Sequence, residues 1–96
     1  MFYASFISGE KFNKPVSKVV CVGRNYAEHA RELNNPVPDA PILFIKPETS
    51  ALELNDSFPI PESDCHYEAE LAILVGKDLK NATNEEIEKS ISGVGL

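Results

Sequence analysis

The sequence lacks any apolar run approaching the roughly 20 residues that a membrane-spanning helix requires. Its longest apolar runs, at residues 19–23, 42–45 and 71–75, have the length of single β-strands. We therefore expect no membrane partner. The N-terminal sequence MFYASFISGEKF also lacks the basic start and the long apolar stretch of a secretion signal, so we expect a cytoplasmic protein.

Cysteines and clustered basic residues are scarce as well. The two cysteines, Cys21 in an apolar run and Cys65 in a polar loop, are too few for the disulfide framework of a small secreted domain, so we expect free thiols. The 9 lysines and arginines are outnumbered by 15 aspartates and glutamates, which gives a net charge of -6. Because the basic residues are scattered and form no positive stripe, we expect no nucleic-acid partner.

The length of the chain limits the size of its core. Ninety-six residues, 43% of them apolar, suffice for one modest core and are too few for two domains. We therefore interpret residues 1–96 as one continuous unit. The core should be marginal, since ordering costs about 1.5 kcal/mol per residue and nearly cancels the gain from apolar burial.

Apolar, β-branched stretches predict several short strands. These are residues 2–7, 18–22, 42–46 and 92–96, with strand-like alternation also at residues 52–54. No polar tail follows the last of these stretches. We therefore expect the chain to stop inside a strand and to be a piece of a longer protein.

Two capping boxes predict two short helices. Asn25 is followed three residues later by Glu28, and Thr83 by Glu86, which is the spacing at which side chains and backbone amides cap each other. The second helix should be about eight residues long. Strands and short helices together predict an α+β fold.

Residues 66–76 carry the most informative pattern. Their apolar residues alternate with a period of two, so a single strand would project His66, Glu68 and Glu70 from one face. Same-face side chains are about 6.5 to 7 Å apart, and two carboxylates can then share one hard cation such as Mg²⁺ or Mn²⁺. The same alternation is also typical of a half-exposed antiparallel strand whose glutamates are simply solvated.

A second polar cluster occupies residues 23–32. In a helix, His29 and Glu32 lie three residues apart on one face, where the carboxylate can orient the imidazole as a general base for water. An amphipathic helix with a solvated polar face fits the same residues. Arg24 and Lys46 each follow an apolar stretch closely and can hold an anion, although a charge at a strand end also serves solubility.

Three segments in a fixed order resemble the fumarylacetoacetate hydrolase family, most closely its acylpyruvate hydrolase branch. They are VCVGRNYAEHARE at 20–32, PILFIKP at 41–47 and HYEAELAILVGK at 66–77. The resemblance runs from about residue 17 to the last residue and implies that residues 1–96 are the N-terminal portion of a single catalytic domain. It implies a β-rich roll around a mixed sheet, with a carboxylate-bound Mg²⁺ or Mn²⁺ at its mouth.

The resemblance also implies roles for individual residues. These are metal ligation by Glu68 and Glu70, water activation by His29 and Glu32, and substrate binding by Arg24 and Lys46. The family's third ligand is an aspartate about 29 residues beyond the second glutamate, near position 99 and therefore past Leu96. We expect the chain by itself to hold an incomplete metal site.

The activity implied by the resemblance is hydrolysis of a carbon–carbon bond in an acylpyruvate-type 1,3-dicarbonyl acid. A water deprotonated by His29 attacks the distal carbonyl, and the leaving enolate is stabilised by the metal. Oxaloacetate decarboxylation, isomerisation of an oxo-diacid and a catalytically inert chain are alternatives. Because relatives in the family generally form homodimers, we also expect a homo-oligomer that takes a small oxo acid.

Overall fold

The computed structural model describes residues 1–23 and 40–96 of the chain. In these two ranges the elements are β1 (Lys18–Gly23), β2 (Ile42–Pro47), a 3-10 helix (Glu48–Ser50), β3 (Ala72–Val75), α1 (Asn84–Ser90) and β4 (Ile91–Gly95). The strands form two antiparallel two-stranded sheets, β1–β2 and β3–β4. This mixture of strands and a helix matches the α+β class predicted from the sequence.

The β1–β2 sheet confirms two of the predicted strands, each longer by one residue. Its register is uninterrupted from Lys18 opposite Pro47 to Gly23 opposite Ile42. Valine and isoleucine fill much of both strands, and their branched side chains favour the extended backbone. Pro47 is the last residue of β2, where its missing amide hydrogen costs the sheet little.

The β3–β4 sheet confirms a strand near the end of the chain and corrects the prediction for residues 66–76. Ala72, Ile73 and Leu74 pair in steady register with Gly95, Val94 and Gly93, and a bulge follows Leu74. Residues 66–71 carry no regular secondary structure, so the predicted single strand is wrong over its first six residues. An alternating pattern predicts a strand only where a neighbouring strand supplies the hydrogen bonds.

Helix α1 begins with the predicted capping box. The Thr83 hydroxyl accepts a hydrogen bond from the Glu86 amide at 3.2 Å, and the Glu86 carboxylate accepts one from the Thr83 amide at 3.3 Å. The helix ends at Ser90, whose hydroxyl donates to the Ile87 carbonyl at 2.6 Å. The first predicted helix, capped by Asn25, lies outside the described residues.

Residues 2–16 form an N-terminal hairpin in place of the strand predicted at 2–7. Its only bridge in strand geometry joins Ser5 to Lys11, although the Phe12 amide also donates to the Ala4 carbonyl at 2.8 Å. Gly9 turns the chain with a φ of 92°, a left-handed conformation that glycine adopts at no steric cost. The alternation at 52–54 likewise forms no strand, because the chain turns there.

The N-terminal hairpin packs against the β3–β4 region and is hydrogen-bonded to the 3-10 helix that follows β2. A Cβ atom built on Gly93 would lie 3.2 Å from the Phe6 ring, and one built on Gly76 would lie 3.3 Å from the Phe12 ring. The two rings therefore lie against the backbone of the β3–β4 region, edge to face with centroids 6.4 Å apart. At the other sheet, the Glu48 carboxylate that follows β2 accepts a hydrogen bond from the Phe2 amide at 2.9 Å.

The described residues enclose almost no core. Only Ser90 is buried among them, with 1% of its surface exposed, whereas most large apolar side chains of the four strands are exposed. In the same part of the chain, no helix is long and apolar enough to span a bilayer. Within residues 1–23 and 40–96, the strands therefore bury few of their apolar side chains.

Candidate functional site

The two predicted metal-binding glutamates lie just before β3. Glu70 precedes Ala72, the first strand residue, by two positions, and Glu68 by four. Both residues are exposed, and Glu68 takes part in a hydrogen bond, an ion pair or another electrostatic interaction. Carboxylate oxygens suit Mg²⁺ or Mn²⁺, so these donors fit the predicted ions.

The β3–β4 ladder ends two residues short of Glu70. Ala72 lies opposite Gly95, and each step back along β3 matches one step forward along β4. Glu70 and Glu68 precede this last pair and lie in a stretch without regular secondary structure. Paired residues in an antiparallel ladder project from the same face with Cβ atoms about 4.5 to 5.5 Å apart.

The donor set within residues 1–23 and 40–96 falls short of a complete metal centre. No three histidine, cysteine, aspartate or glutamate side chains converge there as a metal site. His66, beside the two glutamates, is exposed, and so is Cys65. Both cysteines are free thiols, as predicted. This part of the chain therefore supplies candidate ligands for a site and does not complete it.

Lys46 belongs to β2, opposite Val19 and near the end that adjoins the N-terminal hairpin. Its side chain is exposed, as expected for a residue that binds an anion and equally for one that serves solubility. The ion pairs found in the described ranges do not join it to Glu68 or Glu70.

The remaining predicted site residues lie in the segment 24–39, outside the described residues. They are Arg24, His29 and Glu32, and their roles stay predictions. Gly23, the last residue of β1, immediately precedes this segment, and Ile42 opposite it begins β2 shortly after the segment ends. Arg24, His29 and Glu32 therefore belong to the stretch of sequence between two paired strands, whereas Lys46 belongs to one of those strands.

Sequence patterns did not reveal the residues that hold the N-terminal hairpin in place. Glu48, Phe6 and Phe12 carry no recognisable pattern. Gly76 and Gly93 did carry a usable signal, because glycine in or beside a strand often marks a close approach of other atoms to the backbone. These residues set the surroundings of β3, the strand that comes directly after the two glutamates.

The comparison with protein families agrees with the resemblance carried by the three sequence segments. The model of the fumarylacetoacetate (FAA) hydrolase C-terminal domain matches residues 18–96, which is most of the chain. The chain therefore belongs to the fumarylacetoacetate hydrolase family. The N-terminal hairpin, residues 2–16, precedes the matched region.

Individual relatives give the same result. The chain is 48% identical over 90 residues to the oxaloacetate tautomerase YcgM of Escherichia coli, covering 92% of this chain and 41% of that protein. It is 45% identical over 80 residues to a mitochondrial oxaloacetate decarboxylase of Dictyostelium discoideum, covering 75% of this chain and 37% of that protein.

A crystal structure from Oleispira antarctica, described as a fumarylacetoacetate isomerase/hydrolase, matches with a TM-score of 0.85 and 47% identity. The match covers 96% of this chain and 42% of that structure. The fold of this chain is therefore that of the family. The chain spans about two fifths of the length of the relatives that it matches.

Proposed function

We propose that this chain supplies two carboxylate ligands to a divalent metal site that acts on a small oxo acid through an enolate. Membership of the family and the position of Glu68 and Glu70 immediately before β3 support this proposal. When bound, Mg²⁺ or Mn²⁺ would supply Lewis acidity to the oxygens of the oxo acid.

The observation that carries the proposal is the β3–β4 register. The family resemblance expects a third carboxylate near position 99, and a ladder that continued for four residues past the Ala72–Gly95 pair, where it ends in this structure, would bring that position opposite Glu68. Glu70 would then lie diagonally across, about 7 to 8 Å away between Cα atoms, on the same face. Three carboxylates so arranged can reach one ion, which also relieves their mutual repulsion.

The chain's own residues would bind the substrate and transfer the proton. Lys46 and Arg24 would hold the substrate carboxylate, since a cation is needed to bind an anion to a chain with a net charge of -6. His29 would exchange the proton at its imidazole, and Glu32 would hold the ring in the required orientation.

The first candidate reaction is keto–enol tautomerisation of oxaloacetate. The name of the Escherichia coli relative supports it, and the reaction needs only the transfer of a proton to or from an enolate. It corresponds to the oxo-diacid isomerisation that the sequence left open as an alternative.

The second candidate is the predicted hydrolysis of an acylpyruvate, supported by the hydrolase name of the family model. Here a hydroxide generated by His29 would attack the distal carbonyl, and the enolate would be the leaving group. Decarboxylation, suggested by the name of the Dictyostelium relative, passes through the same enolate after loss of carbon dioxide. All three reactions would rely on the metal to stabilise an enolate, and they differ in the bond that breaks.

Assays of the natural gene product would rank the candidates. With Mn²⁺ present, oxaloacetate, acetylpyruvate and fumarylpyruvate would each be supplied while enol absorbance, pyruvate and carbon dioxide are followed. We expect accelerated equilibration of the oxaloacetate enol, abolished by a chelator and restored by Mn²⁺. Absence of turnover on all three substrates by the metal-loaded protein would contradict the proposal.

A further inference from the structure

One side of the N-terminal hairpin is bound close to Lys46. The Phe2 amide donates a hydrogen bond to a Glu48 carboxylate oxygen at 2.9 Å, and the Met1 ammonium group lies 3.8 Å from the same oxygen. Glu48 begins the 3-10 helix two positions after Lys46 in β2. Hydrogen bonds to a charged group are stronger than those between neutral groups, so this bond fixes the hairpin beside the end of β2.

The other side of the hairpin lies against the sheet that the candidate metal ligands precede. The Phe6 ring lies 3.2 Å from the position of a Cβ atom on Gly93, and the Phe12 ring lies 3.3 Å from that of one on Gly76. Glycine at these positions lets the two rings approach the backbone closely. The hairpin is therefore packed on the β3–β4 region as well.

Hydrogen bonds within the hairpin connect its two sides. The Phe12 amide donates to the Ala4 carbonyl at 2.8 Å, and the Val16 amide donates to the Phe2 carbonyl at 2.8 Å. Among the described residues, extensive contacts between elements otherwise stay within each sheet, between β1 and β2 and between β3 and β4. The hairpin thus links the end of β2 to the β3–β4 region.

We propose that the N-terminal hairpin positions Lys46 relative to the metal ligands Glu68 and Glu70, with Glu48 and Phe12 as positioning residues. A substrate whose oxygens bind the metal while its carboxylate pairs with a lysine needs these two groups at a fixed separation, and misplacement by about 1 Å can cost on the order of 10²-fold in rate. The hairpin precedes the region that the family model matches, so membership of the family does not itself imply this role. The inference rests on the proposed function.

The test measures KM, kcat and Mn²⁺ affinity of the natural gene product with the oxo acid that it turns over. Glu48→Ala should raise KM about tenfold, because Lys46 would no longer be held at the right distance. The contact of Lys46 with the carboxylate is made in both the bound substrate and the transition state, so kcat should stay within about twofold. Mn²⁺ affinity should not change, and Glu53→Ala, at another exposed glutamate, is the matched control.

The conservative variant Glu48→Gln separates the hydrogen bond from the charge. Its amide oxygen can still accept the Phe2 amide hydrogen, while the exposed pair with the Met1 ammonium group contributes little. We therefore expect a KM close to that of the unsubstituted protein. A rise in KM as large as that of Glu48→Ala would overturn the inference.

A double-mutant cycle with Lys46→Met tests whether Glu48 acts through the lysine. If it does, adding Glu48→Ala to Lys46→Met raises KM no further, because the group that Glu48 positions is already gone. A purely structural role of Glu48 would raise KM by the same factor in both backgrounds. That result would overturn the inference.

The aromatic side of the hairpin provides a second variant, which carries the test if Glu48→Ala does not fold. Phe12→Leu keeps an apolar side chain but removes the ring beside Gly76, and it should also raise KM. Combined with Glu48→Ala, it should raise KM no further than one of the two changes does alone, since a link released on one side no longer holds the other. Additive effects would contradict a single link.

Titration of the Mn²⁺-loaded protein with pyruvate separates this inference from the proposed reaction. Pyruvate binding without turnover of any oxo acid would contradict the reaction, and weaker pyruvate binding by Glu48→Ala would then still support the positioning role. An unchanged KM and an unchanged pyruvate affinity in Glu48→Ala would overturn the inference. Loss of Mn²⁺ affinity in parallel with substrate affinity would also overturn it, because the metal site itself would then be damaged.

Discussion

Among the exposed glutamates of this acidic chain, Glu68 and Glu70 are distinguished by their position relative to a strand. They are two residues apart and lead directly into β3. Their exposure in this chain is consistent with ligands whose site needs further residues. The chemistry assigned to them is therefore testable one side chain at a time.

Replacing either Glu68 or Glu70 by glutamine should weaken Mn²⁺ binding by the natural gene product by about 100-fold or more. Loss of a residue that merely supports a metal ligand already costs about 10- to 100-fold, and a ligand should cost at least as much. Isothermal titration with Mn²⁺ measures the change. Glu53→Gln, at another exposed position, is the matched control and should bind normally. Unchanged affinity in both site variants would remove these residues from the metal site.

Thr83→Ala should destabilise α1 by about 1 kcal/mol, because the N-cap side chain would no longer accept the Glu86 amide hydrogen. Hydrogen exchange of the α1 amides should become faster by about fivefold for that loss. Thr83→Ser keeps the hydroxyl and should exchange almost as slowly as the unsubstituted chain. The exposed Lys89–Glu85 ion pair would not compensate, since such pairs contribute little.

At the scale of elements, the β3–β4 sheet is shaped by the atoms that lie against its glycines. A Cβ on Gly76 would overlap the Ser92 hydroxyl and lie 3.0 Å from the Ser92 Cβ, with the Phe12 ring 3.3 Å away. Ser92 is the residue that the bulge in β4 leaves without a partner in β3. Gly76, the bulge residue Ser92 and the Phe12 ring therefore lie close together.

Gly76→Ala should therefore destabilise the sheet by about 1 to 3 kcal/mol through overpacking. Gly95→Ala is the matched control, because no atom lies within 4 Å of its added methyl group. The readout is hydrogen exchange of the β3 and β4 amides, which should accelerate only in the Gly76 variant. Combining Gly76→Ala with Ser92→Ala, which removes the hydroxyl that the new methyl group would overlap, should recover part of the protection. Equal exchange in the two glycine variants would show that the space beside Gly76 can adjust.

The sequence predicted the elements that their own residues favour. It did not predict correctly the segments that need a neighbouring strand. The β1 and β2 strands have dense branched residues, and α1 has a capping box, so each is favoured by its own sequence. Residues 2–7 and 66–71 have a strand-like composition but few or no strand hydrogen bonds in this chain. Composition alone cannot supply the neighbouring strand.

At the scale of the whole molecule, two opposing properties govern behaviour in solution. A net charge of -6 keeps copies apart, while the exposed apolar side chains of the strands draw them together. The balance between them depends on ionic strength, because salt screens the repulsion and leaves apolar attraction in place.

Raising the salt concentration should therefore increase self-association of the isolated chain. Screening shortens the range of the repulsion from about 30 Å at 0.01 M to about 3 Å at 1 M ionic strength. Sedimentation velocity at these two salt concentrations measures the shift toward larger species. Lys77→Glu combined with Lys80→Glu lowers the net charge from -6 to -10 and should reduce association at low salt. A compact monomer under both conditions would contradict this expectation.

The sequence by itself determined the family, the β1, β2 and α1 elements and the identity of the candidate ligands, because these depend on local residue patterns. Tertiary structure alone decided that β3 starts at Ala72, that it pairs with β4, and that Phe6 and Phe12 lie against glycines. Those features depend on which strand or ring lies opposite a residue. Such pairings join segments far apart in the chain, so no short stretch of sequence contains them.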